Sequence, residues 1–344
     1  MQLKIKQILF TSPYKAEYLE RGEIDLENIK EDAVVVKTMV STISSGTEKA
    51  NYIGEKKVTA SIDKVVPFPR VPGYSSAGEV VRVGSQVKKF KTGDRVVISS
   101  FLGAHKNYCY VKENDLVKIP DGVCYEDAAM SFIATFSLAG LRKVKLEAGE
   151  SCLVMGLGVL GQFSVKLARA MGAYPIIAVD PVKERREWAL KNGADYVFNP
   201  FDENTISSIK EITDGGVNTA IEVTGVGAGL DQTLDCMKKF GRIALLGCTR
   251  NSDFSIDYYK KVHSPGITLV GAHTDARPKF ESYPNYFTQN DEIKVVLDLI
   301  AGGRICLKNL IEERYSPKDC EKVYDRLVND KNFPIGVQFD WKGE

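Results

Sequence analysis

The run Met155-Gly156-Leu157-Gly158-Val159-Leu160-Gly161 is the tightest constraint on how this chain of 344 residues can fold. It follows a short apolar segment, Cys152–Met155, with the length and composition of a buried strand, and opens a stretch of helical spacing over Val159–Met171. Three glycines in this spacing are a weak signal alone. Between a strand and a helix they specify a turn whose backbone faces a dinucleotide. Gly156 permits the tight turn, Gly158 lets the backbone approach a pyrophosphate, and Gly161 lets the helix pack on the strand. The amides that open the helix, at Val159 and Leu160, have no partner within it and offer a positive dipole end to phosphate.

Nineteen residues beyond Gly161 stands Asp180, at the end of the next strand-like run, Pro175–Val179. A carboxylate there accepts hydrogen bonds from the adenosine ribose and repels a 2′-phosphate, so the expected cofactor is NAD. Lys183, Arg185 and Arg186 follow closely. They either form a solvated helix face or, with Arg185 as a cofactor contact, accommodate the extra phosphate of NADP.

The rhythm around this motif is strand, helix, strand, helix. Lys183–Asn192, Ser207–Thr213 and Gly229–Lys238 have helical character, and Thr219–Val223, Arg242–Leu246 and Thr268–Val270 continue the strands. Near-continuous apolar strands alternating with helices predict a doubly wound parallel sheet over residues 133–272. Residues 1–132 read differently. Short β-branched runs at Ala33–Val40, Ala77–Val83, Asp94–Ser99, Tyr108–Val111 and Leu116–Ile119 are punctuated by Pro72-Gly73, Gly93-Asp94 and Pro120-Asp121-Gly122. They predict a β-rich, barrel-like domain. A helical stretch near Glu292–Ala301 and a strand-like Gly336–Phe339 place residues 273–344 back in that first domain. The chain is therefore expected to be an α/β protein of two domains.

Forty-six basic against forty-five acidic side chains leave a formal charge of +1, which argues against nucleic acid or an anionic membrane as partner. No apolar run approaches the roughly 20 residues needed to cross a bilayer, and no secretory signal opens the chain. Seven scattered cysteines without a Cys-x-x-Cys pair fit a reducing compartment, so a cytoplasmic protein is expected.

Further segments carry a family resemblance over essentially the whole chain. Ser44-Ser45-Gly46-Thr47-Glu48 resembles the Cys-Gly-Thr-Asp turn of the medium-chain dehydrogenase/reductase family. Val71-Pro72-Gly73-Tyr74-Ser75-Ser76-Ala77-Gly78-Glu79-Val80-Val81 is similar to its Pro-Gly-His-Glu segment, and Lys91-Thr92-Gly93-Asp94-Arg95-Val96 to its Gly-Asp-Arg-Val turn. The resemblance implies a GroES-like β-rich catalytic domain and a Rossmann domain, with the active site in the cleft between them. It implies a small-molecule substrate and a homodimer or homotetramer, formed through the edge strand near Ile267–Ala272. It also places Thr135 beside the nicotinamide and makes Thr224 and Gly247 later cofactor contacts.

The departures from the family pattern bear on chemistry. Ser45 stands where zinc-dependent members have the cysteine ligand, and Tyr74 where they have the histidine. The third ligand position falls at or near Ser131 or Phe132, and the lobe of four cysteines for a structural zinc is missing. Hydroxyls are poor zinc ligands, so no metal is expected. Hydride transfer to a carbonyl then needs another group at the developing alkoxide. Tyr74 is the candidate proton donor and acceptor, with Thr47 relaying and Ser45 a third hydroxyl. Glu48 and Lys49 stand ready to tune or replace them. Alternatively, Tyr74 only fills the volume left by the metal site. His273 and Arg277 suit a hydroxylated or anionic substrate, while His105 and His263 read as structural.

Three functions are compatible with these residues. The first is a zinc-independent oxidoreductase interconverting a secondary alcohol and a ketone, on a sugar or polyol. The second is a quinone or enoyl reductase, which an apolar site would favour. The third is a non-catalytic cofactor-binding protein.

Overall fold

The computed structural model describes residues 1–56, 58, 66–101, 103–250, 252 and 254–344. They divide into two compact units, Met1–Ile133 with Ile293–Glu344, and Ala134–Glu292. The division falls within the helix Tyr125–Lys143.

The second unit is built on six parallel strands. Their order is Tyr196–Phe198, Ile176–Val179, Cys152–Met155, Val217–Glu222, Met237–Leu245 and Thr268–Gly271. The inner strands Cys152–Met155 and Ile176–Val179 are buried at every position, as strands covered on both faces must be. Leu153, Ile177, Ala220, Ile243, Leu230 and Ile209 pack in one apolar core. The chain leaves Cys152–Met155 toward Ile176–Val179 on one side and later fills the other side with Val217–Glu222. This is the switch point at which open α/β sheets bind ligands, beyond the carboxyl ends of the strands.

Residues 273–292, expected with the first domain, belong to this second unit instead. Gln289 opens the helix Gln289–Ala301, and its side-chain amide donates to Thr135 Oγ1 at 2.9 Å. Arg142 Nε lies 3.1 Å from Glu292 Oε1. An ion pair to the buried Glu292 and a half-buried amide bind this stretch where hydropathy alone left it a polar connection.

The first unit carries a seven-stranded sheet in which Ile311–Tyr315, Gly336–Asp340, Ala33–Thr42, Ser75–Val83, Arg95–Ile98 and Leu116–Lys118 are neighbours in that order; Tyr108–Lys112 also pairs with Ala33–Thr42. The late strand Gly336–Asp340 lies antiparallel to Ala33–Thr42, with Gln338 opposite Thr42. A separate antiparallel hairpin, Gln2–Ser12 with Lys15–Asp25, opens the chain. The helix Cys320–Asn329 turns Cys320, Val323, Tyr324 and Leu327 into a core with Phe10, Tyr52, Phe339 and Trp341. Among the described residues, no helix is long and apolar enough to cross a membrane.

Candidate active site

The glycine-rich turn forms where the sequence predicts it, and its glycines have separate physical reasons. Gly156 has φ +95°, and a Cβ there would meet Thr224 Cγ2 at 3.0 Å. At Gly161 a Cβ would lie 2.0 Å from the Gly156 carbonyl oxygen, so the helix Val159–Ala170 packs directly on its own turn. Gly158, by contrast, has nothing within 4 Å of a Cβ position. Its backbone faces open space, as an approach by pyrophosphate requires, and no side chain caps the helix it precedes.

Asp180 is 4% exposed and ties the turn to the next strand end. Its Oδ2 accepts from Leu157 N and its Oδ1 from Val182 N, both at 2.8 Å. A carboxylate has about four lone-pair sites, so two remain for ribose hydroxyls. The basic residues after it are engaged. Arg185 Nη1 lies 3.8 Å from Asp180 Oδ2, Arg186 donates to the carbonyls of Asp180 and Pro181, and Lys183 faces Glu187. Gln162, which the sequence did not single out, donates to the carbonyls of Leu157 and Arg185.

The later contacts sit at strand ends in the same unit. Thr224 N donates to Glu222 Oε1 at 2.8 Å, and the Thr224 hydroxyl donates to the same oxygen. Burial pushes the Glu222 carboxyl above its ordinary range, and these donors oppose that shift. At Gly247 a Cβ would fall 2.4 Å from Gly225 N, so two loops meet there with no room for a side chain. Thr135 is fully buried and receives Gln289, whose Oε1 in turn accepts from Arg277. Arg277 is thus turned inward, its guanidinium 5.8 Å from the Phe136 ring. His273 stays half-exposed, with Asp275 N donating to its Nδ1.

In the first unit, Tyr74 is 6% exposed, its ring centroid 5.2 Å from those of Phe101 and Phe132. Its hydroxyl donates to Ser44 Oγ. The family pattern points to Ser45 and Thr47 as the hydroxyls that accompany Tyr74; the hydroxyl that meets Tyr74 belongs to the residue just before them. Ser45 and Thr47 lie half-buried in the helix Ser45–Tyr52, and the Thr47 carbonyl accepts from Asn51. Ser44 precedes that helix, with φ −90° and ψ 87°, which separates its side-chain direction from those that follow.

Behind this pair lies a buried polar cluster. Glu48 Oε2 accepts from Tyr324 Oη at 2.6 Å and faces His105 Nε2 at 3.0 Å, while Glu48 Oε1 accepts from Ser44 N at 2.8 Å. His105 Nδ1 is 2.7 Å from Ser41 Oγ, which accepts from Trp341 Nε1 at 2.8 Å. Serine, histidine and carboxylate stand in line as in a nucleophilic triad. Ser41 and His105 are 0% and 1% exposed, so this line does not reach a substrate.

Comparison with known proteins agrees with both units. Residues 30–121 match the alcohol dehydrogenase GroES-like domain, and residues 159–289 match the zinc-binding dehydrogenase family. The chain is 30% identical to (R,R)-butanediol dehydrogenase of Bacillus subtilis over 82% of this chain and 88% of that one. It is 26% identical to the sorbitol dehydrogenase of the same organism, over 90% of each. An alcohol dehydrogenase of Escherichia coli CFT073, solved complexed with NADH, shares the fold at a TM-score of 0.82 and 19% identity, covering 98% of this chain and 99% of that one.

The chain belongs to the zinc-type medium-chain dehydrogenase/reductase family. It is accordingly an enzyme, an oxidoreductase with a GroES-like domain and a Rossmann domain.

The family implies zinc, and the residues at the matched positions do not fit it. Ser45 and Tyr74 offer neutral hydroxyls, Tyr74 already donates to Ser44, and Ser131 Oγ donates to the Ala128 carbonyl at 2.7 Å. Among the described residues, no three His, Cys, Asp or Glu side chains come together to hold a metal ion.

Proposed function

We propose that this enzyme interconverts a secondary alcohol and a ketone of the sugar or polyol class, with NAD as hydride carrier and without zinc. The observation that carries the proposal is the Tyr74 hydroxyl, held on Ser44 where the family's metal ligand stands. In the reducing direction a bound NADH would supply the hydride to the carbonyl carbon. The proton goes from Tyr74 Oη to the carbonyl oxygen, and Ser44 steadies the phenolic oxygen it leaves behind. Oxidation runs the same transfers backward. Ser45 and Thr47, on the first turn of the adjoining helix, supply further hydroxyls to a polyol.

Asp180 supports NAD over NADP, since a 2′-phosphate would meet a buried carboxylate while Arg185 and Arg186 are already engaged. Val159, Leu160 and the glycines of the turn would hold the pyrophosphate, and Thr135, Thr224 and Gly247 would face the rest of the cofactor. The sorbitol and butanediol relatives support the substrate class. The edge strand Thr268–Gly271, with Leu269 exposed, suits pairing with a second copy into a homodimer or homotetramer. Seven free cysteines suit the cytoplasm.

One observation favours a second reading. Phe101 and Phe132 flank Tyr74 with aromatic faces, which suits hydride addition to an enone or quinone. NADH consumption by the purified protein against keto-sugars and against enones and quinones separates the two. Turnover confined to keto-sugars supports the alcohol/ketone reading, and turnover confined to enones or quinones replaces it.

A further inference from the structure

We infer that Glu48 and His105 are positioning residues that hold the Tyr74–Ser44 pair in register from both ends. The inference rests on reading Tyr74 as the proton donor, and deepens it.

The two halves of the pair come from different parts of the chain. Tyr74 follows Gly73, and Ser44 precedes the helix that bears Glu48. The His105 ring lies flat on Gly73: a Cβ there would be 2.6 Å from Cδ2, 2.7 Å from Cγ and 2.8 Å from Nε2 of that ring. Gly73 has φ +82°, and its carbonyl accepts from Ala104 N at 3.0 Å, so the segment carrying His105 grips it by backbone as well. On the other side Glu48 Oε1 takes the Ser44 amide at 2.8 Å. Glu48 and His105 then meet at 3.0 Å. Gly73–His105–Glu48–Ser44 is thus a continuous brace closed by the Tyr74 hydrogen bond.

The brace is itself held rigid. Tyr324 donates to Glu48, Ser41 faces the far nitrogen of His105, and Phe339 meets the imidazole edge-on at 5.2 Å. Burying polar side chains such as a carboxylate and an imidazole is costly, and a well-packed apolar pair would hold the fold as well or better. What an apolar pair would not supply is a directed bond to the Ser44 amide and a planar face against Gly73. Neither side chain touches the reacting atoms, so their effect on chemistry passes through Tyr74. A displacement of about 1 Å there is enough to cost up to about a hundredfold in rate.

Two measurements test the inference. The first needs no substrate: a crystal structure of His105→Gln, which keeps an amide donor for Glu48 but removes the ring from Gly73. The Tyr74 hydroxyl is expected beyond hydrogen-bond reach of Ser44 Oγ; an unchanged pair overturns the inference. The second is a cycle of kcat for wild type, Tyr74→Phe, His105→Gln and the double variant, on whichever ketone or enone the two panels identify. His105→Gln should lower kcat by about tenfold or more with KM within about twofold, and should add nothing in the Tyr74→Phe background. Equal factors in both backgrounds would show a general structural effect and overturn it. Full kcat in Tyr74→Phe sinks the proton-donor reading instead, and the crystal structure then decides the brace by itself. If His105→Gln does not accumulate folded, Ser41→Ala, which frees the opposite edge of the same ring, takes its place in both measurements.

Discussion

The α-carbon of Gly161 faces the carbonyl of Gly156 so closely that a Cβ would lie 2.0 Å from its oxygen. The contact is with backbone, which has no rotamer to yield. Gly161→Ala is therefore expected to lose about 1–3 kcal/mol of stability and to push the helix start away from the turn. Urea denaturation with NADH titration checks both. A variant of wild-type stability that still binds NADH normally would show that the turn yields without cost.

Asp180 serves the turn through Leu157 N and is expected to serve the cofactor through the ribose. Asp180→Ala should weaken NADH binding by about 10- to 100-fold, the worth of one or two hydrogen bonds to a charged acceptor. NADPH should weaken far less, so the preference between the two cofactors narrows. Equal losses for both would mean that Asp180 acts only by shaping the turn.

Glu292 is fully buried against Arg142, and burial raises its carboxyl above the ordinary range while Arg142 opposes the rise. Removing the guanidinium in Arg142→Ala raises it further and leaves a buried carboxyl without its cation. The folded state then holds the Glu292 proton more tightly than the unfolded chain. That contribution is full below the unfolded value, near about 4.3, and is lost as pH rises through the raised folded one. The deficit against wild type should be smallest in acid and grow toward neutral pH to about 3–5 kcal/mol. Urea melts at pH 4.5 and pH 8 measure it; the same deficit at both would mean Glu292 does not change charge between them.

Zinc independence has a direct assay. Protein equilibrated with zinc and then desalted should carry well under one ion per chain, and prolonged chelation should leave turnover unchanged. Stoichiometric zinc whose removal abolishes turnover would overturn the proposal that Tyr74 replaces the metal.

The inner strands of the parallel sheet were legible because strands buried on both faces, such as Cys152–Met155 and Ile176–Val179, read as uninterrupted apolar runs, whereas the short, partly exposed edge strand Tyr196–Phe198 was not. The helix Tyr125–Lys143 was not, since residues 127 to 141 are all buried and leave no polar stripe to set a period. The helix Ser45–Tyr52 carries Gly46, Thr47 and Asn51, all weak helix formers, and it is held by the buried Glu48 rather than by propensity. At the site, the motif pattern names Tyr74, Ser45 and Thr47, whereas the hydroxyl that Tyr74 meets is that of Ser44, which has no motif position of its own. His105 lies 31 positions beyond Tyr74, and its ring is brought against Gly73 only by the fold. Local sequence contains no record of that contact.

Trp341 donates to Ser41 across 300 positions of chain, and Tyr324 to Glu48 across 276. At about 5–20 residues per second, a ribosome that has made Ser41 reaches Trp341 only about 15–60 s later. During that interval the whole Ala134–Glu292 unit is synthesised, while Glu48 and His105 still lack the partners that seal them from water. The enzyme is thus born with its nucleotide-binding half able to mature first. The unit that bears Tyr74 waits on Trp341 for its buried partner, so a chain truncated before Trp341 would retain the glycine-rich turn while Ser41, on the far side of His105, lacks that bond.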